Sequence, residues 1–234
     1  MLSTRLGLTL LLVIVFIVNY AETSLEPNIQ AIFSGPQTAN RIATSIYDLE
    51  GNLGFRFHAA TNRVAVIGFS LSYFFLFPLI ALGTAWVLWR RPDVAPFQLL
   101  CFAITIDYLI TLPFYLLFPI PERWAFPDSG AILLSDLWTT RLIELIRPIS
   151  GLDNCFPSSH VSFTVVIILV CWHLKIRLWR SILMLGLTVV LATFVLGIHW
   201  IPDIIGGTAV GVLSVYLALK FQVRSQPLPA VATA

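Results

Sequence analysis

The sequence predicts an all-α membrane protein, a polytopic bundle of about six transmembrane helices. Of its 234 residues, 58% are hydrophobic and only 11% are charged, whereas soluble globular domains contain roughly 25% charged residues. The apolar residues also come in long runs, separated by segments that carry most of the charges. A water-soluble fold cannot bury this much apolar surface, so we expect lipid to be the solvent for most of the chain.

Six segments approach the length of a transmembrane helix. Such a helix needs about 20 apolar residues, because each adds about 1.5 Å across roughly 30 Å of hydrocarbon. Pro78 and Pro113 are compatible with membrane helices, since neighbouring helices can satisfy the carbonyls that a proline frees. The first and fourth segments are short or begin with polar residues. The predicted spans are Leu6–Tyr20, Val64–Trp89, Phe97–Ile120, Phe156–Leu174, Ile182–Ile198 and Ile201–Phe221.

The first segment has a second interpretation, as a signal peptide. Arg5 precedes a short apolar run that ends near Tyr20, which is the order of a secretory signal. No clear small-x-small cleavage pattern follows it, and this favours a retained helix. The orientation of the later spans is the same in either case.

The distribution of charge predicts that orientation. With the amino terminus inside, the inner side receives eight basic residues and one acidic residue, and the outer side receives six basic and ten acidic residues. The short inner loops Arg90–Pro96 and Lys175–Ser181 carry the strongest signal, because the positive-inside bias acts on short loops. We therefore expect an integral protein of the plasma (inner) membrane, with both termini cytoplasmic and residues 21–63 and 121–155 as outer loops.

The remaining features predict one membrane domain, residues 1–234, because no internal repeat divides the chain. The first outer loop, Glu22–Asn62, is expected to make one or two interfacial helices. A net charge of +2 without a basic, aromatic-rich run argues against a nucleic-acid partner. The three cysteines show no CxxC or Cys/His spacing, so the sequence predicts neither a disulfide framework nor a metal site.

The string Pro157-Ser158-Ser159-His160 begins the fourth predicted span. A serine at that position can cap a helix, and the free amides of a helix start also attract anions. His160 would then lie in the first turn, where it could donate a proton to an ester oxygen. The alternative is a simple serine cap beside an interfacial histidine.

A second polar string follows the fifth span, where His199 precedes Asp203 by four residues. Pro202 suits the first turn of the next helix, which places Asp203 within reach of His199. A carboxylate on one ring nitrogen fixes the tautomer and leaves the other nitrogen free to attack. The alternative is that both side chains merely lie among lipid headgroups.

Three further polar residues lie near these strings. Arg147, followed by Pro148, could hold phosphate oxygens in a bidentate fork, or it could interact with lipid headgroups. Asp107, inside the third span, must face protein or water, where it could support the site or pair with an arginine. Cys155 is expected to be a small semi-apolar filler on the outer side, open to an impermeant maleimide.

Together these strings resemble the type-2 phosphatidic acid phosphatase superfamily of integral-membrane lipid phosphatases and phosphotransferases. The resemblance covers about residues 107–211 and lies in Arg147-Pro148, Pro157-Ser158-Ser159-His160, and the spacing of His199 and Asp203. Thr140 stands where the family has a lysine, and Ala192-Thr193 stands where it has Ser-Arg. The loss of those cations is similar to the branch that contains inositol phosphorylceramide and sphingomyelin synthases.

The resemblance implies a mechanism without metal or cofactor. In it, His199 attacks phosphorus and forms a phosphohistidine, Asp203 orients His199, and His160 protonates the departing oxygen. Arg147, Ser158 and the amide of Ser159 would hold the phosphate oxygens, where charge gathers in the transition state.

The expected function is therefore a lipid phosphatase that works at the extracytoplasmic face. Its partners would be membrane lipids and a lipid phosphate of the phosphatidic acid or polyprenyl-phosphate type. A transferase of phospho-headgroups is the enzymatic alternative, because water and alcohol acceptors differ only in a pocket that the sequence does not reveal. A membrane transporter or structural protein is the non-enzymatic alternative.

Overall fold

The computed structural model describes residues 4–33, 35–51, 53, 56–57, 61–134 and 154–225. In these ranges the chain is all-α, as predicted, and it contains no strand beyond one isolated bridge between Ile120 and Asn154. The helices are α1 (Arg5–Phe33), α2 (Gly35–Glu50), α3 (Arg63–Trp89), α4 (Ala95–Leu117), α5 (Ser159–His173), α6 (Trp179–Val195) and α7 (Ile201–Ser225).

Four of the described helices are long and apolar enough to cross a membrane: α1, α3, α4 and α7. The fourth and fifth predicted spans instead form the shorter apolar helices α5 and α6, of 15 and 17 residues. Helix α5 is shorter than predicted because Ser158 caps it, and residues 154–157 are not helical. Helix α6 ends at Val195, and the chain then turns at Gly197, whose φ is 80°.

Helix α1 continues well beyond the predicted end of the first span at Tyr20. Its second half carries polar residues, which in the sequence resemble a loop, but Glu22, Glu26 and Gln30 are buried in the protein. Gln30 donates hydrogen bonds to Glu26 and to the carbonyl of Tyr115 on α4, both at 2.8 Å. The polar residues therefore join α1 to α4, and the helix need not end where they begin.

Helix α5 lies at the centre of the bundle, against α4, α6 and α7. Two glycines of α7 allow a close approach to it. A Cβ added at Gly207 would lie 2.5 Å from the carbonyl oxygen of Ser158, and one at Gly211 would lie 2.6 Å from that of Ser162. Glycine at both positions lets the backbones of α5 and α7 pack together.

At one end of the bundle, α1 and α7 are both hydrogen-bonded to residues 89–95, around the turn between α3 and α4. The Arg5 guanidinium donates to the carbonyls of Trp89 and Pro92, at 3.0 and 2.8 Å, in the α3–α4 turn. The Gln222 side chain, near the end of α7, donates to the carbonyl of Ala95 at 2.7 Å. The amino end of α1, the α3–α4 turn and the carboxyl end of α7 therefore lie together at one end of the bundle.

At the opposite end, residues 120–134 are held against the turn between α6 and α7. The amides of Arg123 and Trp124 donate to the carbonyls of Ile198 and Gly197, each at 3.0 Å, and the amide of Leu134 donates to that of Leu196 at 3.2 Å. These bonds fix the main chain of the three residues that precede His199. The segment thus forms one wall of the region described next.

Candidate active site

The first histidine string is ordered by the start of α5. Ser158 has extended backbone angles, and its hydroxyl accepts a hydrogen bond from the amide of Val161 at 3.4 Å, which makes it the helix cap. Ser159 is the first helical residue and is exposed, whereas Ser158 is fully buried. The cap places His160 in the first turn, where its side chain projects towards α3.

His160 is held between aromatic rings of α3. Its imidazole stacks on Tyr73 with ring centroids 4.4 Å apart, and the centroid of Phe77 lies 4.8 Å away. The Tyr73 hydroxyl is 3.4 Å from Nδ1 of His160. A π-helical turn over Ser72–Leu76 contains Tyr73, and such turns are frequent at functional sites. Sequence reasoning did not find these aromatic partners, because they are more than eighty residues away.

The second string is ordered by the turn between α6 and α7. The amide of His199 donates to the carbonyl of Thr193 at 3.0 Å, and Asp203 lies in the first turn of α7. Oδ2 of Asp203 lies 3.4 Å from Nδ1 of His199 and accepts the amide of Trp200 at 2.8 Å. Asp203 is fully buried and His199 is 5% exposed, so the pair is inside the protein and not at a solvated edge.

The two strings converge in space. The imidazole centroids of His160 and His199 are 6.4 Å apart, with the ring planes inclined by 53°. The amide of Ser158 also donates to the main-chain carbonyl of Asp203 at 3.1 Å. The structure therefore brings together five of the six residues that the sequence singled out. Their chemical roles stay predictions.

The sixth residue, Arg147, lies outside the described residues, as do Thr140 and Pro148.

Cys155 lies between the members of the His–Asp pair. Its Sγ is 3.0 Å from Nδ1 of His199, 2.9 Å from Oδ2 of Asp203 and 3.4 Å from the carbonyl of Ile198. Burial raises the pKa of this thiol well above its ordinary value, and the neighbouring carboxylates of Asp203 and Glu122 raise it further. The thiol is 1% exposed, so the expectation of an accessible filler was wrong.

The same three side chains are also possible ligands of a metal ion. The sequence has no local Cys/His cluster, but the fold assembles Cys155, His199 and Asp203 from positions up to 48 residues apart. The three possible ligand atoms lie within 4.8 Å of one another. A thiolate, an imidazole and a carboxylate form a donor set that suits zinc.

A buried ion pair that the sequence did not reveal supports the turn between α6 and α7. Arg123 is 2% exposed, and its Nη2 lies 4.0 Å from Oε2 of Glu50 at the end of α2. Oε1 of Glu50 accepts a hydrogen bond from the amide of Ile201, at the start of α7. The Arg123 guanidinium also lies over the rings of Phe194 and Trp200, at 4.7 and 5.7 Å. The pair links α2 and residues 120–134 to the turn that carries His199.

Burial has opposite effects on the two members of this pair. It lowers the pKa of Arg123 and raises the pKa of Glu50, because removal from water disfavours both charged forms. The charge of each partner offsets part of that effect in the other. Within the described part of the chain, Nη1 of Arg123 has no hydrogen-bond partner. Only the proline- and aromatic-rich stretch around Arg123 could have drawn attention to it in the sequence.

A cavity of about 460 Å³ opens beside His160. Asp107 lines it from α4, and Oδ2 of this residue accepts a hydrogen bond from Ser162 at 2.9 Å. Of the two predicted roles of Asp107, support of the site or pairing with an arginine, the described contacts show no arginine partner, and Oδ1 of Asp107 accepts no hydrogen bond within them. The rest of the wall is mostly apolar and comes from α1, α3, α4 and α5. Its members include Leu12, Val15, Phe16, Phe77, Ala81, Leu82, Ala85, Ile104, Tyr108 and Phe163.

Comparison with known proteins gives two matches to this region. The family described as the PAP2 superfamily matches residues 96–227, which is more than half of the chain and includes both histidine strings. A protein described as putative undecaprenyl-diphosphatase YbjG, from Escherichia coli (strain K12), is 42% identical over 65 residues. That alignment covers 26% of this chain and 31% of the relative, so the chain matches less than a third of that protein. No solved structure matches the chain significantly.

Proposed function

Because the chain belongs to the PAP2 superfamily, we propose that it is an integral-membrane lipid phosphatase that acts through a phosphohistidine on His199. The observation that carries this proposal is the convergence of the two histidine rings, 6.4 Å apart, with Asp203 beside His199. This separation leaves room for one tetrahedral phosphoryl group in contact with both rings.

In the first step, Nε2 of His199 attacks phosphorus. A P–N bond forms and the P–O bond to the lipid breaks, while His160 transfers its proton to the departing oxygen. Asp203 holds the Nδ1 side of His199 and stabilises the positive charge that develops on the ring. In the second step, His160 takes a proton from water, the resulting oxygen attacks phosphorus, and the P–N bond breaks to release phosphate.

The start of α5 would hold the phosphate oxygens. Ser158 caps this helix, and the amide of Ser159 lies at its amino-terminal end, where backbone N–H groups and the helix dipole favour anions. Ser159 is exposed and lines the cavity beside His160. Arg147 stays the proposed cationic clamp, and its position is not described.

The cavity beside His160 would receive the first part of the lipid chain. Its apolar wall suits a hydrocarbon or isoprenoid segment, and its position would bring the attached phosphate to the histidines. The bacterial relative is named as a putative undecaprenyl-diphosphatase, and this favours a polyprenyl diphosphate as substrate. With that substrate, the leaving group in the first step would be the polyprenyl monophosphate.

We place this chemistry at the extracytoplasmic face of the plasma membrane. The distribution of charge predicts that Arg5, the α3–α4 turn and the end of α7 are on the inner side, and these elements lie together at one end of the bundle. The histidines lie at the opposite end of α7.

The cavity also supports a second candidate function, transfer of a phospho-headgroup to an alcohol. Asp107 lines the cavity, and its carboxyl group can accept a hydrogen bond from a hydroxyl. An alcohol acceptor could be positioned in the cavity by such a hydrogen bond. In this reaction an alcohol, not water, would attack the phosphohistidine.

Purified protein in detergent, supplied with labelled polyprenyl diphosphate, phosphatidic acid, or phosphatidylinositol with ceramide, would separate these functions. Release of inorganic phosphate, undiminished by EDTA, is the expected result. Movement of label to a second lipid would favour the transferase. Loss of activity in EDTA that magnesium restores would contradict the proposed mechanism, and no turnover of any lipid would contradict both functions.

A further inference from the structure

Outside its proposed reaction, the cluster of Cys155, His199 and Asp203 has the composition of a metal site. We propose that this cluster binds a thiophilic divalent cation, Zn²⁺ or Cd²⁺, and that the bound cation switches the enzyme off. The inhibitory part rests on the proposed function, whereas the binding part depends only on the three side chains.

The geometry of the cluster is close to that of a zinc site. The pairwise distances are 3.0 Å from Sγ to Nδ1, 2.9 Å from Sγ to Oδ2 and 3.4 Å from Nδ1 to Oδ2. Zinc bonds of about 2.0–2.3 Å in a tetrahedron would separate the ligand atoms by roughly 3.3–3.7 Å. An opening of about half an ångström would therefore admit the ion between them.

A second observation comes from the carboxylate itself. Asp203 is fully buried, and within the described ranges its Oδ1 has no hydrogen-bond partner. A buried carboxylate oxygen without a donor is costly, and a cation held by this carboxylate would offset the cost. The other oxygen, Oδ2, already accepts the amide of Trp200, which orients the group towards His199.

The donor set also indicates which ions fit. Thiolate and imidazole ligands favour zinc and cadmium, whereas magnesium requires an octahedral oxygen shell and keeps much of its water. Binding would release the thiol proton of Cys155 to solvent, so that the thiolate and the carboxylate together offset the two charges of the ion. Three protein ligands leave a fourth position for water or a phosphate oxygen.

Inhibition follows from the tautomer of His199. A neutral imidazole that binds metal through Nδ1 carries its proton on Nε2. Nε2 then has no lone pair with which to attack phosphorus. The cation also places positive charge where the reaction needs the negative charge of Asp203.

The test uses cadmium, because cadmium–thiolate bonds absorb in the ultraviolet without any need for turnover. Titration of the purified full-length protein should give this absorption with a stoichiometry of one. The band should be lost in Cys155→Ser and kept in the double variant Cys101→Ser/Cys171→Ser, whose cysteines are buried elsewhere. Asp203→Asn, which nearly preserves side-chain volume, should weaken cadmium binding about tenfold or more.

Activity supplies a separate measurement. Micromolar zinc or cadmium should inhibit wild-type hydrolysis, EDTA should reverse the inhibition, and magnesium should have no such effect. Cys155→Ser should be at least about tenfold less sensitive to cadmium, because it lacks one ligand. A cadmium band that survives in Cys155→Ser, or disappears in the double variant, would overturn the site. If no lipid is hydrolysed, the proposed function fails, while the band still decides whether the site binds metal.

Discussion

The main-chain carbonyl of Asp203 accepts a hydrogen bond from the amide of Ser158 at 3.1 Å. This bond joins the start of α7 to the start of α5, so the residues beside the two histidines are connected through the backbone. Glycines of α7 allow the helices to approach this closely. The relative position of His160 and His199 is therefore determined by helix packing and does not depend on their side chains alone.

Replacement of His199 by asparagine should abolish hydrolysis. Asparagine removes the nucleophile but retains a polar side chain, which matters because His199 is only 5% exposed. We expect a loss of at least about a thousandfold in kcat, since the residual rate would come from binding and positioning alone. Phosphate release and thermal unfolding would be measured on the same preparations.

His173→Asn is the matched control for that variant. His173 ends α5 on the side away from the site and is exposed, so its replacement should leave turnover near the wild-type value. Activity of His199→Asn above a few per cent of wild type, in protein that unfolds at the normal temperature, would exclude His199 as nucleophile.

Cys155 should resist a maleimide in the native protein from either side of the membrane. Two effects act in the same direction. The thiol is 1% exposed, and its raised pKa leaves less thiolate at neutral pH than an ordinary cysteine would have. We expect labelling of a Cys101→Ala/Cys171→Ala variant to be slow in intact cells and fast after denaturation in SDS.

The pH dependence of this labelling has a defined sign. Because the pKa lies above its ordinary value, a rise from pH 7 to pH 8 produces little thiolate and the native protein should stay unreactive. A free cysteine peptide in the same buffer should react with the maleimide severalfold faster at pH 8 than at pH 7. Rapid labelling of the folded protein at pH 7 would mean that the thiol is open to solvent.

Sequence periodicity and composition were sufficient for the fold class, because lipid requires long apolar runs whatever the tertiary contacts are. Periodicity and composition did not predict the residues at which the helices begin and end. Glu22 and Glu26 looked like the start of a loop, yet they are buried between helices, which only the packing of α1 could show. Likewise α5 is four residues shorter than the predicted span, whereas α6 has the predicted length of 17 residues but begins and ends three residues earlier.

The candidate site, like the fold, could be predicted from the sequence only in part. The pairing of His199 with Asp203 was predictable, because a spacing of four residues across a helix start is local. The contacts of Cys155, Tyr73 and Arg123 join positions that are distant in the chain, and no local pattern encodes them. A sequence therefore reveals the reacting residues of such a site more readily than the residues that hold them.

The ion pair of Arg123 and Glu50 should be important for folding of the outer end. Glu50→Gln leaves the buried guanidinium without a counter-charge, and breaking a buried pair in this way typically costs about 3–5 kcal/mol. We expect a lower unfolding temperature in detergent for this variant. The control is Asp93→Asn, which changes an exposed acid in the α3–α4 turn.

A double variant tests whether the cost comes from the unpaired charge. Arg123→Met combined with Glu50→Gln removes both charges, and should recover part of the stability that Glu50→Gln alone loses. If Glu50→Gln unfolds at the wild-type temperature, the pair contributes nothing to the fold.

The close packing of α5 and α7 gives the last prediction. Gly207→Ala would place a methyl group 2.5 Å from the carbonyl oxygen of Ser158, so one of the two helices must move. Overpacking of this kind costs about 1–3 kcal/mol, and the movement would also disturb the bond between Ser158 and Asp203. We therefore expect Gly207→Ala to lower both the unfolding temperature and kcat. Gly83→Ala is the matched control, because a methyl group there meets no atom within 4 Å. Normal turnover in Gly207→Ala, with Gly83→Ala also normal, would show that catalysis tolerates a wider separation of the two helices than the structure has.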